Sequence, residues 1–336
     1  MLANVAAKPL RDTHGRIATD LRVSLTDRCN LRCTYCMPAE GPGWLPSPHI
    51  LTDEEVTRVV AIAVERLGIT EVRFTGGEPL LRPGLARIVS AASKLSPQPS
   101  ISLTTNGIGL AKQAVDLKRA GLDRINISLD TLDHQTFRQL SRRDRLDDVL
   151  TGIAAAAAAG IGPVKLNSVL IRDVNDHEAP KLLNYALEHG LHLRFIEQMP
   201  LDPMGVWNRE AMVTAAEILA SLRNHWDLQP ADQARGSEPA ERWLIDEGPA
   251  TVGIVASVTR PFCRTCDRVR LTADGQIRSC LFGRDDADLR TALRNGASAD
   301  DIEQLIRGAI ERKGPGHGIN NDDFEPPSRP MSAIGG

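Results

Sequence analysis

Asp20-Leu21-Arg22-Val23-Ser24-Leu25-Thr26 alternates apolar and polar residues with a period of two, the pattern of a strand with one buried face. Five later stretches read the same way: Glu71–Thr75, Ser100–Asn106, Arg124–Asp130, Val164–Val169 and Leu191–Ile196. Helical patterns lie between them. A Thr52-x-x-Glu55 capping box opens one that runs to about Leu67, and others cover Pro83–Leu95, Leu110–Ala120, Asp147–Ala159 and Asp176–Glu188. Strand and helix in such alternation predict parallel α/β structure. A flat parallel sheet covered on both faces would have strands that are apolar throughout. Here Leu21, Val23 and Leu25 oppose Arg22, Ser24 and Thr26, and the other strands are split likewise. Helices therefore cover the apolar face, and a curled, barrel-like sheet turns its polar face onto a ligand-filled lumen. An open sheet with one wet face is the competing arrangement.

The chain has 336 residues, enough for one large α/β domain and a smaller addition. Lys and Arg number 40 against 43 Asp and Glu, and a net charge of -3 gives no bulk attraction to nucleic acid or membrane. No apolar run reaches the roughly 18 residues of a membrane span, and Met1–Asp20 lacks a secretory pattern, so a cytoplasmic protein is expected. Beyond the barrel, Leu201–Met212 reads as a long loop, Thr214-x-x-Glu217 caps a short helix, and Pro230–Glu241 is an exposed polar excursion. Gly253–Val258 reads as a strand, Asp274-Gly275 joins a hairpin of Val269–Thr272 and Gln276–Cys280, and Asp301–Arg312 is a last helix. The tail from Gly314 has the composition of a disordered segment. The expected organisation is a leader over 1–20, a barrel over 21–200, a C-terminal region over 201–313 and a tail over 314–336.

Six cysteines fall into two trios, Cys29, Cys33, Cys36 and Cys263, Cys266, Cys280. A disulfide framework belongs to small secreted chains, so ligation of zinc or an iron–sulfur cluster is the better explanation. In Cys29-x3-Cys33-x2-Cys36 a nearby fourth ligand is missing, whereas structural zinc takes four. A cubane held by three thiolates leaves one iron open. Cys29-Asn-Leu-Arg-Cys-Thr-Tyr-Cys36 resembles the signature of the radical S-adenosylmethionine (SAM) superfamily, and Thr75-Gly-Gly-Glu-Pro79 is similar to its second motif. The resemblance implies that the open iron chelates SAM, that one electron then releases a 5′-deoxyadenosyl radical, and that Tyr35, Gly77, Glu78, Ser128 and Met199 lie at the cofactor.

The second trio, Cys263-x2-Cys266-x13-Cys280, again counts three, with Asp267 or His317 available by spacing to complete a zinc site. The run Phe262-Cys-Arg-Thr-Cys-Asp-Arg-Val-Arg-Leu-Thr-Ala-Asp-Gly275, the stretch Arg22–Pro38, Arg73–Pro79 and the terminal Gly335-Gly336 together resemble the GTP 3′,8-cyclase family of molybdenum cofactor biosynthesis. Asp267 stands where that family is expected to carry asparagine. The resemblance implies an incomplete (β/α)6 TIM-type barrel whose C-terminal extension closes the open lumen, two [4Fe-4S] clusters and SAM as cofactors, and GTP as substrate. It further implies hydrogen removal from C3′ of the ribose, attack on C8 of the guanine, and a second cluster that anchors the purine. Five cations fall on polar strand faces or beside the second trio, Arg22, Arg73, Lys165, Arg268 and Arg270; they and Thr104 are the expected substrate contacts. Arg268, Arg270, Gly335 and Gly336 are the expected catalytic residues. Expected partners are an external one-electron donor, a downstream enzyme making cyclic pyranopterin monophosphate, and a second copy of the chain. Two other readings compete: a peptide- or protein-modifying radical SAM enzyme with an auxiliary cluster, and a zinc-stabilised binding protein without catalysis.

Overall fold

The computed structural model describes residues 7–335 except 203, 206, 233 and 234. Leu10–Arg11 (β1) and Ile17–Ala18 (β2) form a small antiparallel pair. The six expected strands follow as β3 (Asp20–Ser24), β4 (Glu71–Thr75), β5 (Ser100–Thr105), β6 (Arg124–Ser128), β7 (Val164–Val169) and β8 (His192–Ile196), each parallel to the next. Their apolar residues, Val23, Val72, Ile101, Ile125, Leu166 and Phe195 among them, are fully buried under the helices. The helices are α1 (Asp53–Leu67), α2 (Leu85–Ala92), α3 (Ala114–Ala120), α4 (His134–Ser141), α5 (Leu146–Ala158) and α6 (Ala179–Glu188). The capping box at Thr52 is present: its hydroxyl accepts from Glu55 N–H, and Glu55 accepts in return from Thr52 N–H.

The C-terminal region works on both edges of this sheet. After α7 (Ala215–Arg223) come β9 (Leu228–Pro230), β10 (Glu241–Ile245) and β11 (Thr251–Val255), and β11 pairs parallel with β8. Next, β12 (Arg268–Leu271) pairs parallel with β3 on the opposite edge and is followed by β13 (Gln276–Arg278) and β14 (Ala287–Asp288). The sheet order is β14-β13-β12-β3-β4-β5-β6-β7-β8-β11-β10-β9. β14 and β9 do not pair, so the barrel is incomplete, and the extension satisfies edge groups that would otherwise be bare. The chain ends with α8 (Leu289–Arg294), α9 (Ala299–Glu311) and α10 (Met331–Ile334).

Three features depart from expectation, and on a fourth, the order of the leader, the sequence makes no prediction. α4 has only Phe137 and Leu140 as buried apolar anchors and rests on an Asp133 cap, too little periodicity to see in sequence. The polar excursion at 230–241 is bounded by two strands, β9 and β10, that sequence polarity concealed. The leader over 7–20 is folded, with Leu10 and Asp12 buried. The tail is not disordered: Ser332 and Ile334 are buried in α10. Among the described residues no helix is long and apolar enough to cross a membrane.

Candidate functional site

One cavity of about 350 Å³ occupies the lumen, and all six cysteines line it. That volume is within the usual range of small-molecule sites. Cys29, Cys33 and Cys36 follow the C-terminal end of β3. Cys263 and Cys266 precede β12, which runs parallel to β3, and Cys280 follows the antiparallel β13. The two trios therefore sit at opposite ends of the barrel wall with the lumen between them.

The first trio is shaped by close backbone packing. A Cβ on Gly77 would lie 2.4 Å from the carbonyl oxygens of both Asp27 and Arg28, and one on Gly76, at φ +156°, would lie 2.6 Å from Thr26 O. Gly77 N–H donates to Thr26 O and Glu78 N–H to Arg28 O. These glycines let the loop after β4 clamp the segment that leads into Cys29. Glu78 does not line the cavity. Its carboxylate is fully buried and accepts from Thr105 Oγ1 (2.6 Å), Asn106 N (2.7 Å) and Leu80 N (3.0 Å), so it braces the loop after β5. Burial pushes it up to about 7 against those three donors. Tyr35, Gly77, Thr104, Ser128 and Met199 do line the cavity. The Tyr35 hydroxyl donates to Asp130 (2.5 Å), whose other oxygen accepts from Val169 N (2.9 Å).

Burial pushes the Cys29 thiol up to about 11 and Cys36 to about 12. Cys33 is raised well above its ordinary value, by burial first and then by the charges of Cys36, Asp130 and Cys29. Three thiols lining one cavity are soft donors, and a cationic iron–sulfur core would hold them as thiolates despite that burial. The donor set thus fits such a cluster.

The leader and the tail both brace the second trio. Arg16 donates to the carbonyls of Cys263 (2.9 Å), Pro315 (3.1 Å) and Gly314 (2.6 Å) while paired with Asp12. The Asp267 carboxylate accepts from the Thr19 hydroxyl (2.9 Å), and its carbonyl accepts from Thr19 and Asp20 N–H. His317 Nδ1 accepts from Ile319 N–H (3.1 Å), and its ring packs on Phe282. Both side chains that spacing offered as a fourth ligand are therefore engaged elsewhere. Among the described residues no set of three or more His, Cys, Asp and Glu is arranged to hold a metal ion. A single zinc ion would need sulfurs about 4 Å apart. At Cys266, burial works to raise the thiol, but Arg268 and Lys313 overcome it and bring the group down to about 7.

Between the trios the wall is cationic. Arg270, Arg22 and Arg73 are side-by-side partners on β12, β3 and β4, and Arg194 on β8 and Arg268 join them in the lining. Adjacent strands lie about 4.8 Å apart, so these like charges crowd one another. Asp20 answers them, 3.6 Å from Arg22 and 3.8 Å from Arg73. Burial opposes its ionisation, yet four guanidinium groups hold it below the usual carboxylate value. Burial and Arg73 push Arg22 well down, and burial with Arg268 pushes Arg270 to about 10. Nε of Arg22, Nε of Arg73 and Nη2 of Arg268 are buried without a hydrogen-bond partner. Lys165 is on the lumen face of β7 but nearer the strand's start than Asn167, outside the lining, where burial and then Arg194 and Arg124 bring it to about 8. Arg194 lines the cavity instead. Sequence placed it on the polar face without singling it out.

The tail plugs the lumen. Arg270 donates to the Gly335 carbonyl, and Ser332 N–H donates to the Cys36 sulfur. Gly335, at φ +88°, is seated so that a Cβ would lie 2.9 Å from Ser24 Cβ and 3.1 Å from Thr75 Cγ2. Gly336 lies outside the described residues. Arg329 stakes the tail, with two bonds to Asp274 (both 2.9 Å) and one to Asp285 (2.8 Å). Charge-assisted bonds of this kind are worth about 1.5–3 kcal/mol each. Arg329→Ala is accordingly expected to speed amide exchange at Ile334 and Gly335 by about tenfold or more, read by hydrogen–deuterium exchange; unchanged rates would show that the anchor lies elsewhere.

The Radical SAM superfamily model matches residues 23–186, and the Molybdenum Cofactor Synthesis C model matches residues 191–319. The chain is 60% identical over 331 residues to the GTP 3′,8-cyclase of Streptomyces coelicolor, covering 98% of this chain and 97% of that protein. It is 58% identical to the GTP 3′,8-cyclase of Mycolicibacterium smegmatis, covering 98% and 92%. Among solved structures, Streptococcus suis SuiB superposes with a TM-score of 0.61 at 15% identity, covering 94% of this chain and 77% of that one, a likeness of fold alone.

Proposed function

The chain belongs to the GTP 3′,8-cyclase family of the radical SAM superfamily, and on that premise we propose which of its residues bind, orient and shield the reactants. The enzyme is a lyase that converts GTP to (8S)-3′,8-cyclo-7,8-dihydroguanosine 5′-triphosphate, the first step of molybdenum cofactor biosynthesis. Cys29, Cys33 and Cys36 hold one [4Fe-4S] cluster, and Cys263, Cys266 and Cys280 hold a second. With SAM bound, the first supplies the one-electron chemistry that removes hydrogen from an unactivated ribose carbon.

The protein's own part is placement and exclusion. The Gly76-Gly77 clamp fixes the loop that carries Cys29, and Glu78 holds that clamp against the loop after β5. Tyr35, tied to Asp130, Ser128 and Met199 shape the cofactor end. Arg22, Arg73 and Arg194 receive the triphosphate with Arg268, and Thr104 lies beside them. Lys165 adds charge at the start of β7. Arg270 holds the Gly335 carbonyl, so the tail closes the lumen to water beside the reacting atoms. The reading also calls for a one-electron donor, a downstream enzyme for the cyclised nucleotide, and a second copy of the chain.

The observation that carries it is the set of three buried guanidinium nitrogens without a hydrogen-bond partner in a lumen flanked by both trios. Asp20 forms ion pairs with Arg22 and Arg73 among the five lining arginines, a cationic wall suited to a polyanion. Anaerobically reconstituted protein, incubated with GTP, SAM and a reductant, should yield the cyclised triphosphate by mass. Arg22→Ala and Arg73→Ala should each raise the KM for GTP about 10–100-fold, the loss of one charge-assisted contact, with a smaller change in kcat. A colourless protein containing zinc and no iron would overturn the reading.

A further inference from the structure

Lys313 is a buried cation that the mechanism above leaves unused. It lies two residues past α9 and is 4% exposed. Its ammonium donates to the carbonyls of Cys266 (3.2 Å) and Arg268 (2.9 Å) and to the Cys266 sulfur (3.7 Å). No carboxylate is among these partners. A buried ammonium needs a negative group nearby, and here that group is a cysteine sulfur. Arg268 Nε donates to the same sulfur at 3.3 Å.

Cys266 thus takes two cationic donors, while Cys263 takes the backbone N–H of His317. Among the described residues the hydrogen-bond donors to the first trio are neutral. Leu31 N–H (3.4 Å) and Asn106 Nδ2 (3.8 Å) reach Cys29, and Ser332 N–H reaches Cys36. Arg32 is close by but gives its bonds to the carbonyls of Cys29 and Leu31. Reduction adds one negative charge to an iron–sulfur core, and cations and N–H donors on its ligating sulfurs stabilise that charge and raise the potential.

We infer that Lys313 is a positioning residue for charge at the second trio: acting with Arg268 on the Cys266 sulfur, it sets the reduction potential of the cluster held there above what the three cysteines alone would give. This rests on the assignment of Cys263, Cys266 and Cys280 to a cluster. The potential, not turnover, is the quantity it controls directly.

The test is a redox titration followed by electron paramagnetic resonance, on full-length protein carrying Cys29→Ala, Cys33→Ala and Cys36→Ala so that only the second trio can load. Lys313→Met removes charge and donor, Lys313→Gln keeps a donor without the charge, and Lys313→Arg keeps the charge. Met and Gln should each make reduction about tenfold less favourable, a downward shift of ~59 mV for one electron, and Arg should shift it far less. If the Met variant fails to hold iron, the Gln variant decides. An unmoved midpoint in a fully loaded Met or Gln variant overturns the role of Lys313, as does an Arg variant shifted as far as Met. Absence of any iron in the parent lacking the first trio overturns instead the assignment of the second.

Discussion

Replacing Cys263, Cys266 and Cys280 together by alanine is expected to leave SAM cleavage intact and to abolish formation of the cyclised nucleotide. The first trio stands at the other end of the lumen, and its sulfurs take their hydrogen bonds from Leu31, Asn106 and Ser332, none of which touches the substituted loop. The loop loses the bonds that Arg268 and Lys313 give to the Cys266 sulfur but should keep its course, because others that hold it do not involve sulfur. Arg16 grips the Cys263 carbonyl, Thr19 the Asp267 carboxylate, and Arg278 the Asp285 carboxylate. What disappears, on the proposed reading, is the group that would fix the guanine end of the substrate, and with it the alignment of ribose C3′ and guanine C8. The expected signature is a fall in iron to about half, 5′-deoxyadenosine still formed with reductant, and no cyclised triphosphate by mass. Full turnover in this variant would remove the second trio from the mechanism.

The second large effect is expected at a residue without a side chain. Gly335→Val should lower turnover by about 100-fold, the loss expected from misplacing a group in the active site by an ångström or so, while both clusters still load. At φ +88° a β-branched residue is strained whatever the space, and here the space is also taken, by Ser24 Cβ at 2.9 Å and Thr75 Cγ2 at 3.1 Å. Both contacts belong to the lumen wall, so the tail must withdraw rather than shift. Arg270 then loses the Gly335 carbonyl and the cavity opens to water. The iron content, the SAM-cleavage rate and the product yield separate this outcome from misfolding. Normal product formation would show that the tail is only a linker end.

Periodicity of two located the six barrel strands to within a residue or two and told which side chains face the lumen. It carries no information about depth along the barrel axis. Lys165 and Arg194 both occupy lumen-facing positions, yet only Arg194 lines the cavity, because Lys165 sits one step nearer the start of its strand. Motif position misled at Glu78 for a related reason. Its neighbours Gly76 and Gly77 line the cavity, and the carboxylate turns away to satisfy two backbone N–H groups and a hydroxyl that burial would otherwise strand. Composition misled at the tail. Its Gly, Pro and Asn content predicts disorder, but Arg329, Ile334 and Arg270 hold it through contacts with residues distant in the chain.

By itself the sequence determined what is local or periodic: the strand–helix alternation, the polar lumen face, two cysteine trios with one ligand short in each, and a glycine pair that permits close backbone contact. Only the tertiary structure decided which edge strands complete the wall, that the trios stand at opposite ends of one lumen, and that Arg268 and Lys313 share the Cys266 sulfur. The division has a physical cause. Local pattern fixes which way a side chain points, whereas many of its partners come from segments tens to hundreds of residues away, brought together only when the sheet curls around its lumen.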